Sequence, residues 1–118
     1  MENVVVISGD VHMFAVADLK PDYDDPASPV VASEFVTTSV TSQGAGQKQM
    51  DGWLPANPHL SFPGPQRGYA RMDLSPVQAR ADLRAVSTIS EPEAPAKTVA
   101  SFVVDRGKPG PRRVPEVD

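Results

Sequence analysis

The 118-residue sequence predicts a strand-rich α/β fold, on three observations. Sixteen valines stand against five leucines and two isoleucines, so the apolar content is β-branched and favours strands over a helical bundle. Thirteen prolines, against a usual share of ~5%, leave little room for long helices. Residues 77–85 alternate apolar and polar without a break, the period of a strand that buries one face. Counted with glycine and without tyrosine, apolar residues make up about 45% of the chain, an ordinary globular share that excludes full disorder.

The elements follow in order. Val4-Val5-Val6-Ile7 is a continuous apolar run and predicts an inner strand, covered on both faces. Ser8-Gly9-Asp10 ends it, and Val11 to Leu19 is mixed. Residues 20–29, with three prolines and three aspartates, read as a loop. Val30 to Ser42 returns to β-type residues, Gly44 to Gly52 is polar and flexible, and Asn57 to Pro65 is irregular. Ser75-Pro76-Val77-Gln78 resembles a helix start. A helical face through 77, 80, 81, 84 and 85 would nevertheless bury Arg80 and Arg84, at a cost unpaired charges cannot recover. The strand is therefore preferred, paired as a hairpin with Arg67 to Leu74, whose apolar side is Ala70, Met72 and Leu74. Thr98 to Val104 is the last strand, residues 1–107 form one unit, and residues 108–118, with three prolines, form a tail.

Composition removes several function classes. The absence of cysteine excludes disulfides, zinc ribbons and thiol catalysis. Eleven basic against fifteen acidic side chains give a net charge of −4, which argues against nucleic acid as a partner. No run approaches the ~18 apolar residues of a membrane span. The N-terminus carries no basic-then-apolar export signal, because Glu2 follows Met1 and the apolar stretch begins at once.

Only Val4 to His12 combines a buried strand with metal-ligating side chains at its end. If the chain stays extended, Asp10 and His12 point to one side, where a carboxylate and an imidazole can share a metal ion. Spacing alone leaves open a turn-capping aspartate and a surface histidine. His59, after Asn57-Pro58, is read as a supporting donor, a phosphate contact or a plain loop histidine. Arg67 is either a bidentate phosphate clamp or a charge that discourages strand-edge pairing. Asp22, Asp24 and Asp25 lack the spacing of a calcium loop and read as a solvated turn. Trp53 either lines a pocket mouth or anchors its loop.

The run Val4-Val5-Val6-Ile7-Ser8-Gly9-Asp10-Val11-His12 resembles the C-terminal motif of the alkaline phosphatase D family of calcineurin-like metallophosphoesterases. Residues 17–39, 57–62, 67–69, 80–86 and 100–110 resemble further family segments in the same order. The resemblance implies the C-terminal part of a metallophosphoesterase-type β-sandwich flanked by helices. It also implies metal-dependent hydrolysis of phosphate mono- or diesters, with Asp10 and His12 in the two ligand places of the late motif. Where the wider superfamily has Gly-His-x-His, Asp10 supplies a harder donor, suited to calcium and iron(III), though other divalent ions remain open. Such metals neutralise phosphoryl oxygens and lower the pKa of bound water toward ~7. Asn57, His59 and Arg67 are weaker candidates for binding phosphate or supporting the ligands.

The family's N-terminal half, with its early ligand motifs, has no counterpart in the sequence. A two-metal site needs roughly ten coordination positions, and the chain's only histidines are His12 and His59. The expectation is half a site, inactive alone and completed by the missing N-terminal half or another chain. The alternative is a non-catalytic β-rich interaction module. Complete family members resemble secreted or periplasmic proteins, and the missing export signal leaves the location of this chain open.

Overall fold

The computed structural model describes residues 2–118 and divides them between two four-stranded sheets. The first contains β1 (Val4–Ser8), β2 (Phe14–Leu19), β3 (Ala32–Val36) and β4 (Leu60–Gly64), in the order β1-β3-β2-β4. β1 runs parallel to β3 with Val4 opposite Ala32, whereas β3 and β4 both pair antiparallel with β2. The second sheet is fully antiparallel, in the order β5 (Gly68–Leu74), β6 (Gln78–Val86), β7 (Ala96–Asp105) and β8 (Lys108–Val114).

The sheets pack face to face. Phe14, Val16 and Phe35 of the first meet Ala81, Leu83, Ala85, Ala100, Phe102 and Val104 of the second. The Phe102 ring sits 6.4 Å from Phe35 and 6.1 Å from Phe62, in tilted and edge-on geometries that favour aromatic pairs. The other face of the first sheet is covered by α1 (Gln47–Trp53), whose Met50 is fully buried against Met13 and Ala15. This short helix, followed by a single 3-10 turn at Leu54–Ala56, replaces the flexible stretch expected there. It is also the sole α-helix among the described residues, so flanking layers are sparse. No described helix is long and apolar enough to cross a membrane.

The hairpin expected over 67–86 forms, with Met72 opposite Ala81 and Leu74 opposite Ala79. Its polar side holds an ion-pair network. Asp82 is 3% exposed and accepts hydrogen bonds from Arg71 (2.8 Å), Arg80 (3.0 Å) and the Ser101 hydroxyl.

Three further expectations are corrected. The stretch Asn57 to Pro65, read as irregular, contains β4 (Leu60–Gly64), which pairs with β2. The run Val4 to Ile7 is a strand but not an inner one. β3 is its only strand partner among the described residues, and Ile7 is left 55% exposed. Residues 108–118 are not a free tail, because Lys108–Val114 forms β8. Pro109 and Pro111 are tolerated there because an edge strand satisfies a partner on one side alone. Beyond β8 the chain crosses the outer face of the second sheet. There the Pro115 carbonyl accepts from Arg80, the Val117 carbonyl from Arg71, and Asp118 from Arg84 and the Thr98 N–H.

Candidate functional site

The C-terminal ends of β1 and β3 and the entry to β2 lie at one end of the first sheet, which is where the Gly9–Met13 loop runs. The loop is not extended as expected. Asp10 has φ 78° and His12 φ 51°, both in the left-handed region. A 3.0 Å bond from the Val11 N–H to the Gly9 carbonyl closes a three-residue turn centred on Asp10, whose positive φ matches the strained form of that turn. Each side chain is thus aimed by its own kink, and the alternation of a strand plays no part. Non-glycine residues held in this region store of order 1–3 kcal/mol each and cluster at functional sites.

His12 is half-buried, and its Nδ1 lies 2.7 Å from the Gln43 carbonyl oxygen. A carbonyl can only accept, so Nδ1 carries a proton, and in the neutral form of the ring the lone pair lies on Nε2. Metal-binding histidines are oriented in this way, with the second ring nitrogen donating to a carbonyl or carboxylate. Asp10 is exposed two residues earlier. Among the described residues no three His, Cys, Asp or Glu side chains converge as a metal set. Asp10 and His12 thus offer one carboxylate and one imidazole on the same loop, fewer donors than a complete metal set.

Arg67 joins this end of the molecule. Its Nη1 donates to the Ser39 hydroxyl (3.1 Å) and the Ser42 carbonyl (3.3 Å), and its Nη2 donates to the Pro65 carbonyl. Partial burial lowers its pKa from the ordinary guanidinium value. Gly44 sits between Arg67 and His12, where a Cβ would collide with both the Arg67 Nη1 and the His12 carbonyl oxygen. The Ser39–Gly44 loop was not singled out as functional from sequence. Its one signal is Gly44-Ala45-Gly46, a small-residue run of the kind that permits close backbone approach.

Asn57 and His59 lie elsewhere. The Asp18 N–H, near the far end of β2, donates to the His59 carbonyl at 3.0 Å. That is roughly 15 Å along the strand from the His12 end. The Asn57 amide donates to the Trp53 carbonyl at 2.8 Å, closing the end of α1. The His59 ring packs 4.7 Å from Tyr23, and both line a separate groove of about 590 Å³ with Asp18, Lys20 and Asp24. Asp22 and Asp25 accept from the backbone N–H two residues on, as turn aspartates do. The structure thus brings Asp10, His12 and Arg67 to one end and leaves Asn57 and His59 at the other.

Residues 1–83 match the PhoD-like phosphatase family. The chain is 39% identical over 117 residues to alkaline phosphatase D of Bacillus subtilis (strain 168), a match covering 97% of this chain and 20% of that protein. It superposes on the solved structure of PhoD with a TM-score of 0.86 and 38% identity, covering 100% of this chain and 23% of that one. The chain spans about a fifth of the length of the relatives it matches. With 83 of its 118 residues inside the family match, and the same fold in the solved relative, the chain belongs to the PhoD-like phosphatases.

Proposed function

We propose that this chain is part of a metal-dependent phosphoesterase of the alkaline phosphatase type, in which Asp10 and His12 are metal ligands. The carrying observation is the bond from His12 Nδ1 to the Gln43 carbonyl, which leaves Nε2 as the open donor. The carboxylate of Asp10 adds a hard oxygen, suited to calcium, iron(III) or another divalent cation. Metal ions bound there would neutralise phosphoryl oxygens and acidify a water molecule toward pKa ~7. The chain's own residues hold and orient: the kinks at Asp10 and His12 aim the donors, and the Gln43 carbonyl fixes the ring.

The remaining ligands come from outside the chain, from the rest of a family-length protein or from a second chain. The open edge of β1 is where such a segment would add. On this reading the chain alone has little or no phosphatase activity, and chelator-sensitive hydrolysis of p-nitrophenyl phosphate by the purified chain would overturn that. Replacing the residues aligned with Asp10 and His12 by Ala in B. subtilis alkaline phosphatase D should each empty one metal position by elemental analysis. Unchanged metal content in both variants would end the ligand assignment. Tight protein binding by a chain that takes up no metal in any assembly would favour the interaction-module reading instead.

A further inference from the structure

Among the described residues Arg67 forms no ion pair with a carboxylate. Three of the five N–H donors a guanidinium carries go to oxygens of Ser39, Ser42 and Pro65. These oxygens belong to two segments, the one that follows β3 and the one that leads into β5. Ser39 is held twice more, its carbonyl by the Gly68 N–H at 3.0 Å and its hydroxyl against the Ser42 carbonyl at 2.6 Å. One peptide beyond Ser42 lies the Gln43 carbonyl that accepts from His12 Nδ1. One residue further, Gly44 fills the space between the guanidinium and the His12 backbone. A continuous chain of contacts therefore runs from Arg67 to the ring of His12.

We propose that Arg67 is a positioning residue: by clamping the Ser39–Gly44 loop it holds the Gln43 carbonyl against His12 Nδ1 and keeps the neutral ring in the tautomer whose Nε2 is open. Its functional meaning rests on His12 being a ligand; the geometry itself does not. A planar fork is required, because the three acceptors lie on two segments that one point charge on a flexible stem does not span with fixed directions. Arg67→Lys thus keeps the charge and loses the device.

The test is heteronuclear NMR of the His12 ring nitrogens, without metal, at a pH where imidazole is neutral. The unaltered chain should show Nδ1 protonated. Arg67→Met and Arg67→Lys should each shift the tautomer ratio toward Nε2–H by roughly fivefold, the size one net hydrogen bond sets. Ser39→Ala, which removes one of the three acceptors together with that hydroxyl's own bond to the Ser42 carbonyl and leaves the other two acceptors of Arg67 in place, should shift it in the same direction by less. It serves as the second variant should Arg67→Met fail to fold. A folded Arg67 variant, or Ser39→Ala, with the original ratio would overturn the proposal. So would a shift of the Arg67 Nε–H with added inorganic phosphate while His12 stays unchanged in Arg67→Met, since that assigns the guanidinium to the anion. A parallel Zn²⁺ titration separates the two readings. Intact Nδ1 protonation with no response of Nε2 in the metal-complete assembly counts against the ligand assignment and leaves the positioning role standing.

Discussion

Gly44 shows how little room the site leaves at the level of single residues. Its neighbours on either side are the His12 carbonyl oxygen, which is backbone, and the Arg67 guanidinium, which is tethered at three points. Neither can move away cheaply, so Gly44→Ala should push the loop outward and break the His12–Gln43 bond. Overpacking of this kind costs about 1–3 kcal/mol. Urea unfolding should show that loss, and the His12 ring signals should change with it; an alanine variant with unaltered His12 signals would refute the close-approach argument. At this scale the sequence was informative about residue type and silent about shape. Asp10 and His12 were identifiable as donors at a strand end, and aspartate and histidine are among the residues that tolerate a positive φ. Nothing in a Gly-Asp-Val-His run signals that two kinks, and no strand, direct them. Arg67 reads in the sequence as a phosphate clamp or a strand-edge charge, but its three acceptors lie up to 28 positions away in the chain and no local pattern marks them.

Among the elements, β6 was the most legible, because its alternation extends over nine residues and has one physical solution. Alanines and Leu83 face the core, while Arg80, Asp82 and Arg84 face outward. β2 was hidden for the opposite reason: Phe14 and Val16 point into the sandwich and Ala15 toward α1, so burial on both faces erases the period. α1 was missed because a single residue, Met50, anchors it in an otherwise polar stretch. β8 was missed because its prolines are admissible only at an edge, and edge placement is decided by tertiary structure. The outward side of β6 also carries a pH dependence. Burial alone would raise the Asp82 carboxyl, but the Ser101 hydroxyl, Arg71 and Arg80 outweigh it and hold the pKa below the usual carboxylate range. A depressed folded pKa gives stability that is full above the unfolded value of ~4 and disappears as pH falls through the folded one. Asp82→Asn should therefore cost about 2 kcal/mol at neutral pH and flatten the acid side of the stability curve. Asp118 shifts in the same direction, held low first by the Thr98 backbone N–H and then by Arg84, so acid should also loosen the segment over the second sheet. Urea midpoints measured from neutral pH to below pH ~4 check both, and an Asn variant as acid-sensitive as the original chain would contradict the network's role.

For the molecule as a whole, the faces are unevenly finished. The outer face of the first sheet is covered by α1, and that of the second is crossed by residues 115–118. The β1 side has no such cover among the described residues. Ile7 is 55% exposed, Leu74 67% and Val77 66%, and the latter two flank a groove of about 440 Å³ lined also by Asn3 and Val5. The four-residue apolar run of β1 reads as a strand meant for burial on both faces, and among the described residues it has a strand neighbour on one edge alone. Unpaired edges and apolar patches both favour association. The isolated chain should therefore self-associate reversibly as its concentration rises, through hydrophobic contact that added salt does not weaken. Ile7→Lys with Leu74→Lys should return it to a monomer without changing its far-UV circular dichroism, because both positions already face water and a lysine blocks edge pairing. Sedimentation velocity across a concentration series decides the matter. A chain that is monomeric throughout without those lysines would mean that β1 is adequately finished as it stands, and the case for a docking segment along it would fall.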